Sequence, residues 1–163
     1  MSTDRSTHRH PSWGAFLLGV AVSCWLPAHA AEPTNWFVSF ERVQVAPVAR
    51  SDTGQLVEAG TIDTDGFSEL VFSLGGEFKE IVPESGTVGA LLIPDLEVFQ
   101  YLLRNEGHIV FPLEAKVQIG GRPGAVFISE QQTAKVAFAR YRVYFYNETT
   151  SGASVSLFVY RTR

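Results

Sequence analysis

"ARYRVYFYNETTSGASVSLFVY", Ala139 to Tyr160, holds two runs of alternating side chains on either side of a polar, glycine-bearing break. Successive side chains of an extended chain point to opposite faces. Ala139, Tyr141, Val143 and Phe145 therefore share one face of the first run, and Arg140, Arg142, Tyr144 and Tyr146 the other. In the second run Val155, Leu157 and Val159 form an apolar row, with Ser154, Ser156, Phe158 and Tyr160 behind it. The break "ETTSG", Glu148–Gly152, predicts a hairpin. With a loop of that length Phe145 falls opposite Val155, and Tyr146 opposite Ser154. The apolar rows then line a core. The reverse face collects Arg140, Arg142, Tyr144, Tyr146, Phe158 and Tyr160.

That reverse face is the candidate ligand-binding surface. Aromatic rings stack on sugar rings, and arginine supplies planar donors for hydroxyls or carboxylates. A glycan or an envelope polymer is the matching ligand class. The same residues also have a purely structural use. Cross-strand aromatic pairs stabilise sheets, and arginine stems lie over neighbouring rings with no ligand present. Trp36 and Phe37 of the first strand can also cover this face, and a one-residue slip of register dissolves it.

The rest of the chain reads as short strands. Trp36–Val48 is the first, and its change of parity between Phe40 and Val43 predicts a bulge near Glu41-Arg42. A turn-rich loop, Arg50–Gln55, leads to a strand over Leu56–Ile62, a turn at Asp63–Gly66 and a strand over Phe67–Leu74. Glu77–Ser85 is a solvated loop or edge, and "TVGALLIP", Thr87–Pro94, a buried strand. Asp95 is placed to cap a helix over Leu96–Glu106, and Gly107 to stop it. Ile109–Ile119 resumes extended structure, a tight loop "GGRPG" (Gly120–Gly124) follows, then a short strand at Ala125–Ser129. The first run of the hairpin begins at Lys135. This pattern of strands with one helical insert predicts an all-β chain folded as an antiparallel β-sandwich, of jelly-roll or galactose-binding-like type. The closing "YNETTSGASVSLFVY" resembles the final hairpin of secreted galactose-binding-like sandwiches, a likeness that implies a fold and no site residues.

The start of the chain reads differently. Arg5 and Arg9 precede an uncharged apolar run, Trp13–Leu26, too short to span a bilayer comfortably. Pro27 and "AHA" (Ala28–Ala30) follow, with small residues where a signal peptidase needs them. Residues 1–30 thus read as a secretory signal peptide cleaved before Ala31, leaving residues 31–163 as one domain in the bacterial periplasm or outside the cell. "AVSC" (Ala21–Cys24) also resembles a permissive lipobox, which makes Cys24 an alternative lipidation site. No transmembrane segment is expected after cleavage.

Cleavage removes Cys24 and three of the four histidines, leaving His108. A histidine- or cysteine-built metal site is therefore excluded. The mature chain carries eleven Lys/Arg against sixteen Asp/Glu, a balance that disfavours nucleic acid and anionic membrane surfaces. "DTDGFSE" places Asp63, Asp65 and Glu69 close in sequence, a candidate calcium loop, although Asp-Gly is equally ordinary turn chemistry. Calcium is the one cofactor for which the sequence offers ligands. "GGEF" (Gly75–Phe78) spells the signature of diguanylate cyclases, but the segments those α/β enzymes need are absent. No G-x-S-x-G elbow occurs. Asn147-Glu148-Thr149 fits a glycosylation sequon, with a structural job in a turn as the alternative.

The expectation is a secreted or periplasmic, non-enzymatic binding module. An assembly subunit docking another envelope protein through a sheet face or edge comes second, and a small hydrolase using Asp63, Asp65 or Glu69 third.

Overall fold

The computed structural model describes residues 36–120 and 125–163. The expected signal peptide (residues 1–30), Cys24 and most of the "GGRPG" loop lie outside the described residues. Two antiparallel sheets pack face to face. The five-stranded sheet runs β1 (Phe37–Val45), β9 (Ala153–Thr162), β3 (Glu69–Phe78), β6 (Val126–Ile128), with β7 (Gln132–Lys135) also on β3. The four-stranded sheet runs β2 (Val57–Asp63), β8 (Arg140–Asn147), β4 (Ser85–Pro94), β5 (Leu113–Gly120). The all-β sandwich expected from the alternation is therefore present. Among the described residues no helix is long and apolar enough to cross a membrane.

The core faces match the sequence reading. Tyr141, Val143 and Phe145 of β8 meet Val155, Leu157 and Val159 of β9 in one buried cluster with Leu70, Phe72, Leu74, Val88, Ala90 and Leu92. The bulge in β1 also falls where parity placed it, between Phe40 and Val43, with Arg42 at φ 54°.

The pairing differs. β8 and β9 do not form a hairpin: β8 lies between β2 and β4, and β9 between β1 and β3. The segment Glu148–Gly152 carries the chain from one sheet to the other. Either arrangement turns the valines inward, so alternation alone does not distinguish them. The strand expected from Lys135 onward is likewise divided. Lys135 ends β7 in the five-stranded sheet, and residues 136–139 cross to β8.

Asn147 makes this crossing. Its side chain is fully buried. Its amide nitrogen donates to the carbonyls of Val45 (3.1 Å) and Ser151 (2.8 Å). Its amide oxygen accepts from the Thr149 N–H (3.2 Å) and hydroxyl (2.7 Å). The sequon residues thus have the structural job, tying β1, β8 and the crossing together.

The helix α1 (Glu97–Glu106) joins β4 to β5 and lies on the outer side of the four-stranded sheet. Gly107 closes it in the left-handed region, as expected, at φ 67°. Asp95 does not cap it. The cap position is Leu96, which gives no side-chain bond, and the Asp95 carboxylate is held by Arg142 instead. Beneath the helix, a Cβ on Gly89 would collide with the ring of Tyr146, its cross-strand partner. A glycine in the buried run is what lets that ring lie flat on the strand.

Asn147→Ala removes both ends of this network: the Thr149 N–H loses its acceptor and the Val45 carbonyl loses the amide donor. A loss of about 2–4 kcal/mol in urea unfolding is expected; a change below about 1 kcal/mol would contradict the role given to Asn147.

Candidate functional site

The six residues expected to share one face are divided between the two sheets. Arg140, Arg142, Tyr144 and Tyr146 lie on the outer side of the four-stranded sheet, and Phe158 and Tyr160 on the outer side of the five-stranded one. No common platform exists, because β8 and β9 are not neighbours.

The outer face of β8 is also covered. Tyr144 and Tyr146 are buried with Leu91, Ile93 and Leu103 beneath α1 and the segment around Val48 and Leu56. The Tyr144 hydroxyl donates to Gln100 Oε1 of α1 at 2.6 Å, and the Gln100 amide donates to the Pro94 carbonyl at 3.1 Å. The Tyr146 hydroxyl donates to Glu114 Oε1 of β5 at 2.9 Å, an oxygen that also accepts from Arg50 Nε at 2.9 Å. Arg142 donates to Asp95 (2.6 Å) and Glu58 (2.9 Å), and Glu58 also meets Arg104 of α1 (3.4 Å). The alternating arginines and tyrosines thus fasten the helix and the 46–56 segment to the sheet. Only Arg140 stays exposed, paired across the strands with Asp63.

These surroundings shift the protonation equilibria. The hydrogen bond to Asp95 raises Arg142 further above its ordinary value. Burial raises both phenols, and for Tyr146 the bond to Glu114 adds to the effect.

The three proposed calcium ligands are not brought together. Asp63 ends β2 in one sheet, whereas Glu69 begins β3 in the other. Asp63 Oδ1 accepts the Asp65 N–H at 3.0 Å, the turn geometry that Asp-Gly sequences favour. Glu69 accepts from the Thr162 hydroxyl at 3.4 Å. Among the described residues no group of three His, Cys, Asp or Glu side chains is arranged to hold a metal ion. Asp63, Asp65 and Asp95 do line an open cleft of about 320 Å³ together with Arg140 and Phe138.

Among the described residues, the outer side of the five-stranded sheet carries the more exposed aromatic side chains. Phe37 of β1 sits opposite Tyr160, with ring centroids 5.0 Å apart, and near-parallel to Phe158 at 6.4 Å. Tyr160 is 55% exposed and Phe37 37%. Val71, Ser73, Gln131 and Thr162 join Phe158 and Tyr160 around a shallow cleft of about 400 Å³. Ser39 lies opposite Phe158, and Val126 and Ile128 extend the face along β6, both about three-quarters exposed. From the sequence, Phe37 is expected only as a cover for the arginine–tyrosine face. The outward parity of Phe37 and Ser39 before the bulge was the available signal, but it needs the β1–β9 pairing to become a site.

At the same end of the sandwich Arg161 is buried. It donates to the Asp63 carbonyl, and its guanidinium lies 4.6 Å from the centre of the Phe67 ring. Trp36 meets the same ring edge-on, so the first described residue is tied to the last strand.

No family model matches this chain, and none of the curated proteins matches it in sequence.

Because Tyr146 is held neutral in the fold, its raised pKa contributes stability that is complete below the free-phenol value of about 10 and is lost as pH rises beyond it. Urea midpoints measured from pH 8 to 11.5 should fall steeply above about pH 10, and less steeply in Tyr146→Phe. Parallel curves for the two proteins would show that this phenol does not carry the linkage. At neutral pH the same variant should lose about 1 kcal/mol, the worth of the bond to Glu114.

Proposed function

We propose that this protein is a secreted or periplasmic, non-enzymatic binding module that takes a glycan or envelope polymer on the outer face of its five-stranded sheet. One observation carries the reading: exposed Phe37 and Tyr160 flank half-buried Phe158 in one aromatic surface, while helix and loop cover the corresponding face of the other sheet. Ser39, Ser73 and Thr162 stand beside the rings and supply hydroxyl partners for sugar hydroxyls. Rings furnish stacking area, and the hydroxyls set orientation. The compartment rests on the leader-like first thirty residues. With β7 taken as an addition at the edge, we assign the interleaved strand order to a jelly roll, an architecture that lectin domains use.

A second reading, docking of another envelope protein on this face, is favoured by Val126 and Ile128. Exposed aliphatic side chains at that density suit a protein partner better than a sugar.

Glycan-array and insoluble-polysaccharide binding of wild type against Phe158→Ala/Tyr160→Ala tests the first reading. Wild type should bind, the double variant at least about tenfold more weakly, and Phe111→Ala, an exposed aromatic change elsewhere, like wild type. Equal binding by all three proteins, or none by wild type, overturns it.

A further inference from the structure

Four borders close the two sheets, and three of them are broken. β1 carries its bulge at Glu41-Arg42. β2 is bulged between Glu58 and Gly60, where the ring of Phe40 fills the space over the glycine. The other border of the five-stranded sheet is made of two short pieces, β6 and β7, of three and four residues. β5 is different. It pairs with β4 through eight consecutive residues, Leu113↔Leu92 to Gly120↔Ser85, with no shift of register. Among the described residues no backbone hydrogen bond beyond that ladder involves Leu113–Gly120. Bulges and short strands are how sheets protect their edges from other chains, and β5 has neither.

The side chains of β5 divide cleanly. Leu113, Val117 and Ile119 face the core yet stay half-buried, whereas Val88, Ala90 and Leu92 on the neighbouring strand are fully covered. The outward side carries Glu114, Lys116 and Gln118. Glu114 is held in place through Oε1 by Arg50 and Tyr146, and its Oε2 lies 3.6 Å from Lys116 Nζ.

We propose that β5 is the docking edge for a second copy of this chain. The two β5 strands pair antiparallel about a twofold axis through Ala115 and join the two four-stranded sheets into one. In this register Glu114 stands opposite the partner subunit's Lys116, and Lys116 opposite the partner subunit's Glu114. Leu113 meets the partner subunit's Val117 on the core side, Val117 meets the partner subunit's Leu113, and both gain the cover they lack. Opposite charges directly across a strand pair stabilise it, and like charges destabilise it. Moving the axis to Glu114 or to Lys116 sets each of those residues against its own copy, so the neighbouring registers are disfavoured. Lysine on an edge usually guards against pairing; with Glu114 two residues away it selects one register instead. Few residues pair, so the dimer is weak and dependent on concentration.

Sedimentation velocity of the purified protein from micromolar to millimolar concentration tests this. A reversible monomer–dimer equilibrium is expected. Lys116→Glu should weaken it at least about tenfold with circular dichroism and melting unchanged, because Lys116 is an exposed side chain. Lys116→Gln, which removes the attraction without adding repulsion, should fall between and keeps the test open if the reversal harms folding. A monomer at every concentration overturns the proposal. So does a Lys116→Glu protein that dimerises like wild type, or a dimer that instead disappears in Phe158→Ser.

Discussion

Two phenol hydroxyls sit beneath a helix in this fold, and each must have a partner there. A buried donor left unpaired costs about 1–3 kcal/mol, a large share of the stability of a domain this size. Gln100 and Glu114 meet that demand, one from α1 and one from β5. The placement of the helix and of the 46–56 segment follows from it, since Arg50 completes the Glu114 site and Val48 and Leu56 close the apolar gap. Arg142 adds the rim, where Asp95 and Glu58 hold its guanidinium. The tyrosine rings contribute apolar area, and their hydroxyls select which elements lie above them.

The closure of one outer face leaves the other as the open one. On the five-stranded sheet the outward residues of β9 and β1 are rings and small hydroxyl side chains, and among the described residues Phe37 and Tyr160 stay exposed. The two sheets of the sandwich thus have different outer chemistry: a polar network fastens one, and exposed aromatics mark the other. The second is the face on which the proposed binding rests.

The crossing at Glu148–Gly152 is the step on which this asymmetry depends. Had β8 and β9 paired as a hairpin, the arginines, Tyr144 and Tyr146 would have shared a face with Phe158 and Tyr160. Asn147 ties the crossing to Val45 and Ser151 instead, and the two halves of the stretch face opposite sides of the molecule. The turn-forming residues of "ETTSG" are compatible with both outcomes, since they specify a reversal and not which strands lie beside it.

Alternation of Tyr141, Val143 and Phe145 with Arg142, Tyr144 and Tyr146 is enough to set which side chains point inward. The parity break at Glu41-Arg42 and the glycine after Glu106 likewise need only local rules, because bulge and cap geometry are properties of a few consecutive residues. Strand, helix and core were legible for that reason. The partners of each strand were not. β8 lies beside β2 and β4, and β9 beside β1 and β3, through pairings between residues far apart in the chain, and no local preference records them. Whether a ring on an outward face meets water or a helix is decided only when distant segments pack. Tyr144 and Tyr160 have the same sequence signature, and tertiary structure alone buries the first and exposes the second.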